Sequence, residues 1–160
     1  MFSFFKRKSS SVTDLMTSEL HDEKTFYRQF IADLLHCKKE VIIESPFITT
    51  ERMRMLHPIF EKLVARNVKI YVMTRNPREH SEALEVQAEV EIQRFEKLGV
   101  QVLLCTENHH RKLAIIDREI LWEGSLNILS QCRSREIMRR IENKMLTMQM
   151  FAFLKLDKFL

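Results

Sequence analysis

Segments with the spacing of a helix alternate along this chain with short apolar segments that have the composition of strands. Apolar residues recur every three to four positions before Val41 and again before Val68, and a run rich in Val and Ile follows each time. A third helical pattern ends at Gly99, and residues 100–104 follow it as another apolar run. A period near 3.6 is typical of a helix with one buried face, and a short β-branched run is typical of a buried strand. This alternation predicts an α/β sandwich in which a mixed central sheet is flanked by helices.

Chain length and the residues at helix ends predict the helix boundaries and the extent of the domain. Asn67 stands where the second helix must stop, and Asn is the best substitute for Gly in a left-handed helix cap. The apolar, Met-rich residues 145–160 predict a last helix that covers the core. With 160 residues and 45% apolar content, the chain can form one domain with its own core. We therefore assign residues 23–160 to a single domain and residues 1–22 to an N-terminal tail.

Residues 110–127, HRKLAIIDREILWEGSLN, contain the side chains best suited to chemistry. The apolar run after Lys112 is typical of a buried strand, and strand geometry puts His110 and Lys112 on the same face. An ammonium suits phosphate oxygens, and a neutral imidazole can attack phosphorus or carry a proton. Ser125 and Asn127 add hydrogen-bond donors that can face a phosphate. The spacing therefore predicts phosphoryl chemistry.

Two further residues of this segment predict local backbone features. Asp117 precedes a second apolar run, which indicates a tight turn between two strands in which the Asp side chain bonds its own backbone. Its expected role is structural. Gly124 is one of only two glycines in the chain, which suggests unusual dihedral angles or a close approach to a ligand.

The chain resembles the HKD signature of the phospholipase D-like superfamily in a complete set of motif residues: His110, Lys112, Asp117, Gly124, Ser125 and Asn127. The resemblance covers about residues 26–142 and implies the phospholipase D-like fold. Residues 134–140 resemble the strand that follows the motif in this family, whose acidic residue orients the nucleophilic His. Glu136 occupies that position. The resemblance thus implies a catalytic site formed by Glu136 and the motif residues other than Gly124.

The motif occurs once in the chain, whereas this family's chemistry divides two roles between two histidines. One neutral His attacks phosphorus and becomes a phosphohistidine, while a second, protonated His donates to the leaving oxygen and later activates water. The resemblance therefore implies an isologous homodimer with the active site at the seam between subunits. Lys112 and Asn127 of both subunits would offset the charge of the pentacoordinate phosphorus, so neither a metal nor another cofactor is expected.

The charge distribution favours a polyanionic substrate, since neutralising phosphates releases counterions and drives nucleic-acid binding. The sequence pI is about 9.1, although the net charge of +4 is modest and charge runs on helices are commonly solvated faces. One basic block, opposed by a single Glu, comprises Arg52, Arg54, Lys62, Arg66, Lys69, Arg75 and Arg78. A second group near the motif comprises Arg133, Arg135, Arg139 and Arg140.

We predict a metal-independent phosphodiesterase, a hydrolase of the endonuclease type that cleaves DNA in preference to RNA. Residues 122–130 resemble phospholipase D-type domains that are often joined to helicases and restriction systems, which suggests a helicase or restriction-type partner. One alternative is a phospholipase D or phosphatidyl transferase acting on lipid, for which the sequence offers an interfacial surface only at its Phe-rich start and Met-rich end. The other alternative is a non-catalytic nucleic-acid-binding module that keeps the fold.

The cysteines and the first residues predict a cytoplasmic protein. The chain has three cysteines, an odd number without metal-ligand spacing, which indicates free thiols in a reducing compartment and no zinc site. Residues 1–5 are apolar but too short for a signal core or a membrane span, and the basic residues follow them. No stable membrane insertion is expected. The alternative to a frayed terminus is a surface-binding tail formed by Phe2, Phe4 and Phe5.

Overall fold

A computed structural model of the chain describes residues 18–160, which form four α-helices and seven strands. The strands in chain order are β1 (Ser18–Asp22), β2 (Glu40–Glu44), β3 (Lys69–Arg75), β4 (Gln101–Cys105), β5 (Leu113–Ile116), β6 (Ile120–Gly124) and β7 (Ile137–Glu142). The helices are α1 (Phe26–His36), α2 (Thr50–Ala65), α3 (Glu82–Leu98) and α4 (Lys144–Phe153). Short 3₁₀ turns follow β3 at Pro77–Glu79 and α4 at Leu156–Lys158.

All seven strands belong to one mixed sheet with the order β1-β7-β6-β5-β2-β3-β4. Strands β2, β3 and β4 are parallel to one another, whereas every other neighbouring pair is antiparallel. Parallel neighbours need crossover connections, which α2 and α3 provide, and the antiparallel pair β5 and β6 needs only a hairpin. The predicted α/β sandwich with a mixed sheet is confirmed.

Different helices cover the two faces of the sheet. On one face, aromatic side chains of α1, α2 and α3 form the main core with Trp122 of β6, whose ring lies edge-on to Phe26 at 5.0 Å between centroids. On the other face, α4 and the turn after it pack through Phe151, Leu154 and Leu156. Full burial of one large apolar side chain contributes about 1.5–3 kcal/mol to the stability of the fold. The helix layers on both faces therefore stabilise the sheet whose strand ends carry the motif residues.

A buried ion pair connects α1 to the antiparallel half of the sheet. Asp33 of α1 accepts hydrogen bonds from Trp122 Nε1 at 2.9 Å and from Arg140 Nε at 2.8 Å. Both charged residues are buried, and the hydrogen bond with Asp33 raises the pKa of Arg140. The basic pattern near the motif predicts a polyanion contact for Arg140. That expectation is wrong, because the guanidinium of Arg140 donates its hydrogen bonds to the buried carboxylate of Asp33.

The domain extends further towards the N-terminus than the sequence predicts. Residues 18–22, which the sequence analysis assigns to the tail, form β1 and pair antiparallel with β7. This strand lies at the sheet edge and is mostly exposed, so it has little of the apolar alternation that marks a strand. The rest of the predicted tail, residues 1–17 with its three phenylalanines, lies outside the described residues.

Two predicted helix ends are confirmed, and the last helix is shorter than the sequence predicts. Asn67 and Gly99 both adopt left-handed conformations, with φ of 62° and 96°. The last helix, α4, ends at Phe153, and Lys155 turns the chain with a φ of 53° into a short 3₁₀ turn. Within residues 18–160, no helix combines the length and the apolar character needed to cross a bilayer.

Candidate active site

The hairpin of β5 and β6 brings the two halves of the motif to one edge of the sheet. Because the strands are antiparallel, with Leu113 opposite Glu123, the start of β5 lies beside the end of β6. An open groove of about 1010 Å³ lies at this edge, and we call it the motif groove. Five of the six predicted site residues line it: His110, Lys112, Ser125, Asn127 and Glu136.

His110 and Lys112 lie on the same side of the chain, as the strand period predicts. Lys112 Nζ lies 2.7 Å from His110 Nδ1 and 2.7 Å from the carbonyl oxygen of His110. Burial lowers the pKa of Lys112, and the charge of Glu136 opposes this effect. An ammonium has three donors, so two are used on His110 and a third is left for a phosphate oxygen. The arrangement provides a cation and an imidazole within one hydrogen bond of each other.

Glu136 contacts hydroxyl groups within the chain and makes no contact with His110. Its carboxylate accepts hydrogen bonds from Ser125 Oγ and from Ser134 Oγ, the latter at 2.7 Å. The hydroxyl oxygen of Ser125 also accepts the backbone N–H of Ile137 at 3.1 Å. The resemblance implies that Glu136 orients the nucleophilic His, whereas within one chain it fixes Ser125 and the start of β7.

Gly124 and Asn127 complete the second half of the motif. A Cβ atom at Gly124 would lie 2.1 Å from the carbonyl oxygen of Ile137 and 2.8 Å from the sulfur of Met138. The close approach that requires glycine is therefore to β7, and Gly124 also lines the motif groove. Asn127 lines the motif groove, and its buried Oδ1 has no hydrogen-bond partner in the described part of the chain. Buried polar atoms without a partner are rare and often mark functional groups.

The residues on either side of His110 face the buried carboxylate of Glu44 at the end of β2. Arg111 Nε lies 2.6 Å and His109 Nε2 3.4 Å from Glu44 Oε2. Burial, assisted by the charges of Arg111 and Lys112, lowers the pKa of His109 to about 4. His109 is therefore neutral at neutral pH, and its contact with Glu44 is not an ion pair. His109 and His110 precede β5, and His109 faces Glu44 whereas His110 lines the motif groove, so the two imidazoles point apart as the sequence predicts.

Asp117 lies at the opposite end of β5 from the motif groove. It forms the predicted tight turn with Arg118, both at positive φ, and Glu119 N–H bonds the carbonyl of Ile116 at 3.0 Å. The sequence predicts that this carboxylate bonds its own backbone, and that prediction is wrong. The carboxylate instead accepts the N–H groups of residues 38, 39 and 40 at 2.8, 2.7 and 3.1 Å. Burial alone would raise the pKa of Asp117, but these hydrogen bonds outweigh it and the pKa is lowered. Asp117 thus joins the hairpin to the loop before β2.

Replacing Asp117 with Asn is expected to lower the free energy of unfolding by about 2–3 kcal/mol at pH 7, because hydrogen bonds to a carboxylate are lost. The carboxylate stabilises the fold above its ordinary pKa of 3.8, and this contribution disappears as the pH falls through the lowered value. The difference between variant and wild type should therefore narrow below about pH 4. Urea unfolding at several pH values measures this difference in the free energy of unfolding, and Asp157→Asn, at an exposed carboxylate, is the control. Activity per folded molecule should stay within about twofold, and a larger loss would contradict a purely structural role.

Four of the eleven basic residues that the sequence assigns to polyanion binding, Arg52, Arg66, Arg75 and Arg140, bond to other parts of the protein. Arg52 Nε donates to the carbonyl of Gln131 at 2.9 Å, and its guanidinium lies 4.0 Å from the ring centroid of Tyr27. Arg66 donates to a carbonyl of α1 at 2.7 Å, and Arg75 pairs with Glu79 at 2.8 Å. None of the basic block lines the motif groove. The expectation that this block follows a polyanion is therefore not supported by its position.

The motif groove has two features that sequence reasoning missed. Arg111, within the motif itself, lines the groove beside Lys112, and Arg139, which the sequence assigns to polyanion binding, lines it as well. The groove also has an exposed apolar rim formed by Leu20, Ile137 and Phe153, which are 68%, 62% and 79% exposed. These rim residues come from β1, β7 and the end of α4, and only the tertiary fold brings them together.

Comparisons with known proteins agree with this geometry. The model of a protein family described as "Cardiolipin synthase, PLD-like domain" matches residues 30–155. NucT from Helicobacter pylori is a similar solved structure, with a TM-score of 0.69 at 14% identity over 88% of this chain and 94% of its own. Nuc from Salmonella typhimurium, a phospholipase D family member, has a TM-score of 0.70 at 13% identity over 88% and 92%. Phosphatidylserine synthase from Haemophilus influenzae has a TM-score of 0.69 at 15% identity over 90% of this chain and 38% of its own. A sequence comparison with curated proteins finds no match.

Proposed function

Because the chain belongs to the phospholipase D-like family, we propose that it is a metal-independent phosphodiesterase, a nuclease that cleaves DNA as a homodimer through a phosphohistidine. The observation that carries the proposal is the convergence of an imidazole, an ammonium and an amide, from His110, Lys112 and Asn127, at one open groove. These groups suit the attack on phosphorus and the binding of its oxygens. The three cysteines of the described residues are free thiols, which is in keeping with a cytoplasmic location.

In this mechanism His110 forms a bond to phosphorus while the bond from phosphorus to the leaving oxygen breaks. The leaving oxygen takes a proton from the partner subunit's His110, which must be protonated at that moment. Lys112 and Asn127 bind the non-bridging oxygens and stabilise the charge of the pentacoordinate transition state. A water molecule then gives a proton to the second imidazole and attacks phosphorus, which releases His110.

Two observations support a homodimer. Among the described residues that line the motif groove, His110 is the only histidine. His109 faces Glu44, and His80 lies behind the ring of Phe47, whose centroid is 4.9 Å from His80 and 6.4 Å from His110. The exposed apolar rim of the groove is the second observation, because clustered exposed apolar side chains are typical of protein interfaces. A second subunit packed on this rim would bring its own imidazole to the site.

The charges at the motif groove support a nucleic acid as the substrate. Lys112 and Arg139 line it as cations that can reach phosphate oxygens, Arg111 lines it but is paired with buried Glu44, and the carboxylates of Glu123 and Glu136 oppose them. We propose DNA ahead of RNA, with a helicase or a restriction-type protein as a partner. The second candidate is a phospholipase D or phosphatidyl transferase, which the apolar rim favours because a lipid-active enzyme needs such a surface beside its site. A non-catalytic nucleic-acid-binding module is the third.

One assay separates these candidates. The purified protein is incubated with plasmid, single-stranded DNA, RNA and phospholipid vesicles, each in the presence of excess chelator. The proposal expects cleavage of DNA. Release of a lipid headgroup would favour the second candidate, and binding of nucleic acid without turnover of any substrate would favour the third.

Cleavage is expected to persist at its full rate in excess EDTA, because Lys112 and Asn127 of two subunits supply the positive field that a metal would otherwise provide. Initial rates with and without EDTA measure this directly. Vanadate or tungstate should inhibit, since both adopt the trigonal-bipyramidal geometry of the transition state. A strict requirement for magnesium would contradict the proposed mechanism.

A further inference from the structure

A second groove continues from the motif groove around Arg111 and Leu154, which line both. It has a volume of about 590 Å³ and lies between the end of β4 and the segment that follows α4. That segment contributes Lys155, Lys158 and Phe159 to its wall. A chain-like substrate that leaves the motif groove past Arg111 would therefore enter the second groove.

The second groove carries positive charge that the protein itself does not neutralise. The charge of Arg111 is offset by buried Glu44 at 2.6 Å. Lys155 and Lys158 are exposed, and neither forms an ion pair in the part of the chain that the structure describes. Lys155, which precedes the 3₁₀ turn after α4, and Lys158, which ends it, both line the groove. Asp157, between them in sequence, does not line the groove.

The second groove also offers an aromatic surface. Phe159 and Leu104 are about half exposed within its wall. His109 also lines this groove, but its side chain is only 7% exposed and its Nε2 faces Glu44 Oε2 at 3.4 Å. Cations beside an exposed aromatic ring are the combination with which proteins bind single strands, since phosphates pair with the cations and bases stack on the ring.

We propose that the second groove holds the nucleotide next to the scissile phosphate, with its phosphate bound by Lys155 and Lys158 and its base packed on Phe159. The inference rests on the proposed nuclease function and extends it by defining where the substrate strand leaves the site. A lipid acyl chain could pack on the apolar wall but would not bind the ammonium groups of Lys155 and Lys158. A polynucleotide can contact both, so it fits more of the groove's features.

The test uses two variants of the second groove and one matched control. Lys155→Ala/Lys158→Ala removes the proposed phosphate contacts, and Phe159→Ala removes the proposed stacking surface. Lys62→Ala/Lys97→Ala removes two exposed lysines from α2 and α3, on the other face of the sheet, and serves as control. Fluorescence anisotropy with a single-stranded oligonucleotide of about 12 nucleotides measures affinity as a function of salt, with every protein also carrying His110→Ala to prevent cleavage.

The lysine variant should make the slope of log affinity against log salt shallower by about 1.4, since each phosphate contact on a single strand contributes about 0.7. Phe159→Ala should weaken binding by about tenfold without changing the slope. In proteins that retain His110, the lysine variant should lower the ratio of kcat/KM for the oligonucleotide to that for bis(p-nitrophenyl) phosphate by about tenfold. The small diester has a single phosphate and does not extend into the second groove.

A lysine variant that matches the control in both salt slope and kcat/KM ratio would overturn the inference. The same conclusion follows if that variant binds the oligonucleotide normally but no longer binds anionic phospholipid vesicles, since the groove would then serve a lipid. A wild-type protein that hydrolyses neither diester would refute the proposed function. The salt slope would still decide the inference in that case, because it depends on binding alone.

Discussion

Replacing His110 with Ala is expected to lower kcat/KM for every phosphodiester substrate by at least about 10⁴-fold, because the imidazole forms the covalent bond to phosphorus. His110 is exposed, so its removal leaves no core cavity and the urea midpoint should stay close to that of the wild type. Steady-state hydrolysis of bis(p-nitrophenyl) phosphate, together with urea unfolding, measures both quantities. A folded variant with wild-type turnover would exclude His110 as the nucleophile.

His109→Ala is the matched control, since it removes an adjacent imidazole that faces the other way. The pKa of His109 is lowered to about 4, so it is neutral at pH 7 and cannot donate a proton as an acid there. Its loss should cost less than about tenfold in turnover. If the two variants were equally inactive, neither histidine could be assigned the nucleophilic role from this comparison, and trapping of the phosphohistidine would be required.

A heterodimer of wild type with His110→Ala is expected to lose nearly all steady-state activity, not half. In the proposed mechanism each site needs two imidazoles, so the mutant subunit would remove one from the shared site. Co-expression with two different affinity tags and sequential purification yields the heterodimer, and light scattering reports its mass. Retained half-activity would mean that each chain works alone, with another residue such as Glu136 as the acid.

The identity of the leaving group makes this experiment more informative. p-Nitrophenolate departs without a proton, so the remaining His110 of the heterodimer should still form a phosphohistidine from bis(p-nitrophenyl) phosphate. Turnover should then stop, because no second imidazole activates water. A burst of about one nitrophenolate per dimer followed by a very slow phase is the expected result. Steady turnover without a burst would contradict the division of roles between two subunits.

The parts of the fold that follow from local sequence pattern are predicted correctly, and the parts that depend on distant contacts are not. Helix and strand periods predict the α/β sandwich, and single residues predict the left-handed caps at Asn67 and Gly99. β1 is missed because an exposed edge strand needs no apolar alternation and is defined by its pairing with β7. The end of α4 is missed because the sequence after Phe153 remains apolar, while the turn at Lys155 packs it against the sheet.

The same distinction applies to the site. His110 and Lys112 are two residues apart, so the strand period alone predicts that they point the same way. The hydrogen-bond partners of Asp117 are 77–79 residues away in sequence, and no local pattern identifies them. Gly124 is required by the backbone of β7, and the apolar rim is assembled from three separate elements. Basic residues are the weakest predictors of the substrate-binding surface. Arg52 and Arg140 belong to sequence clusters typical of a polyanion site, but both bond to other groups of the protein.

The contact between Lys112 and His110 has a consequence for reactivity. An ammonium can only donate, so Nδ1 of His110 accepts at 2.7 Å and the single proton of the neutral ring resides on Nε2. With Nδ1 bonded to Lys112 and Nε2 protonated, the imidazole has no free lone pair. A phosphate that draws the ammonium to its own oxygens releases Nδ1, which can then carry the proton and leave Nε2 free for attack. In the proposed mechanism, the arrival of an anion would thus generate the nucleophile, and without one the imidazole would have no lone pair free to attack an uncharged electrophile.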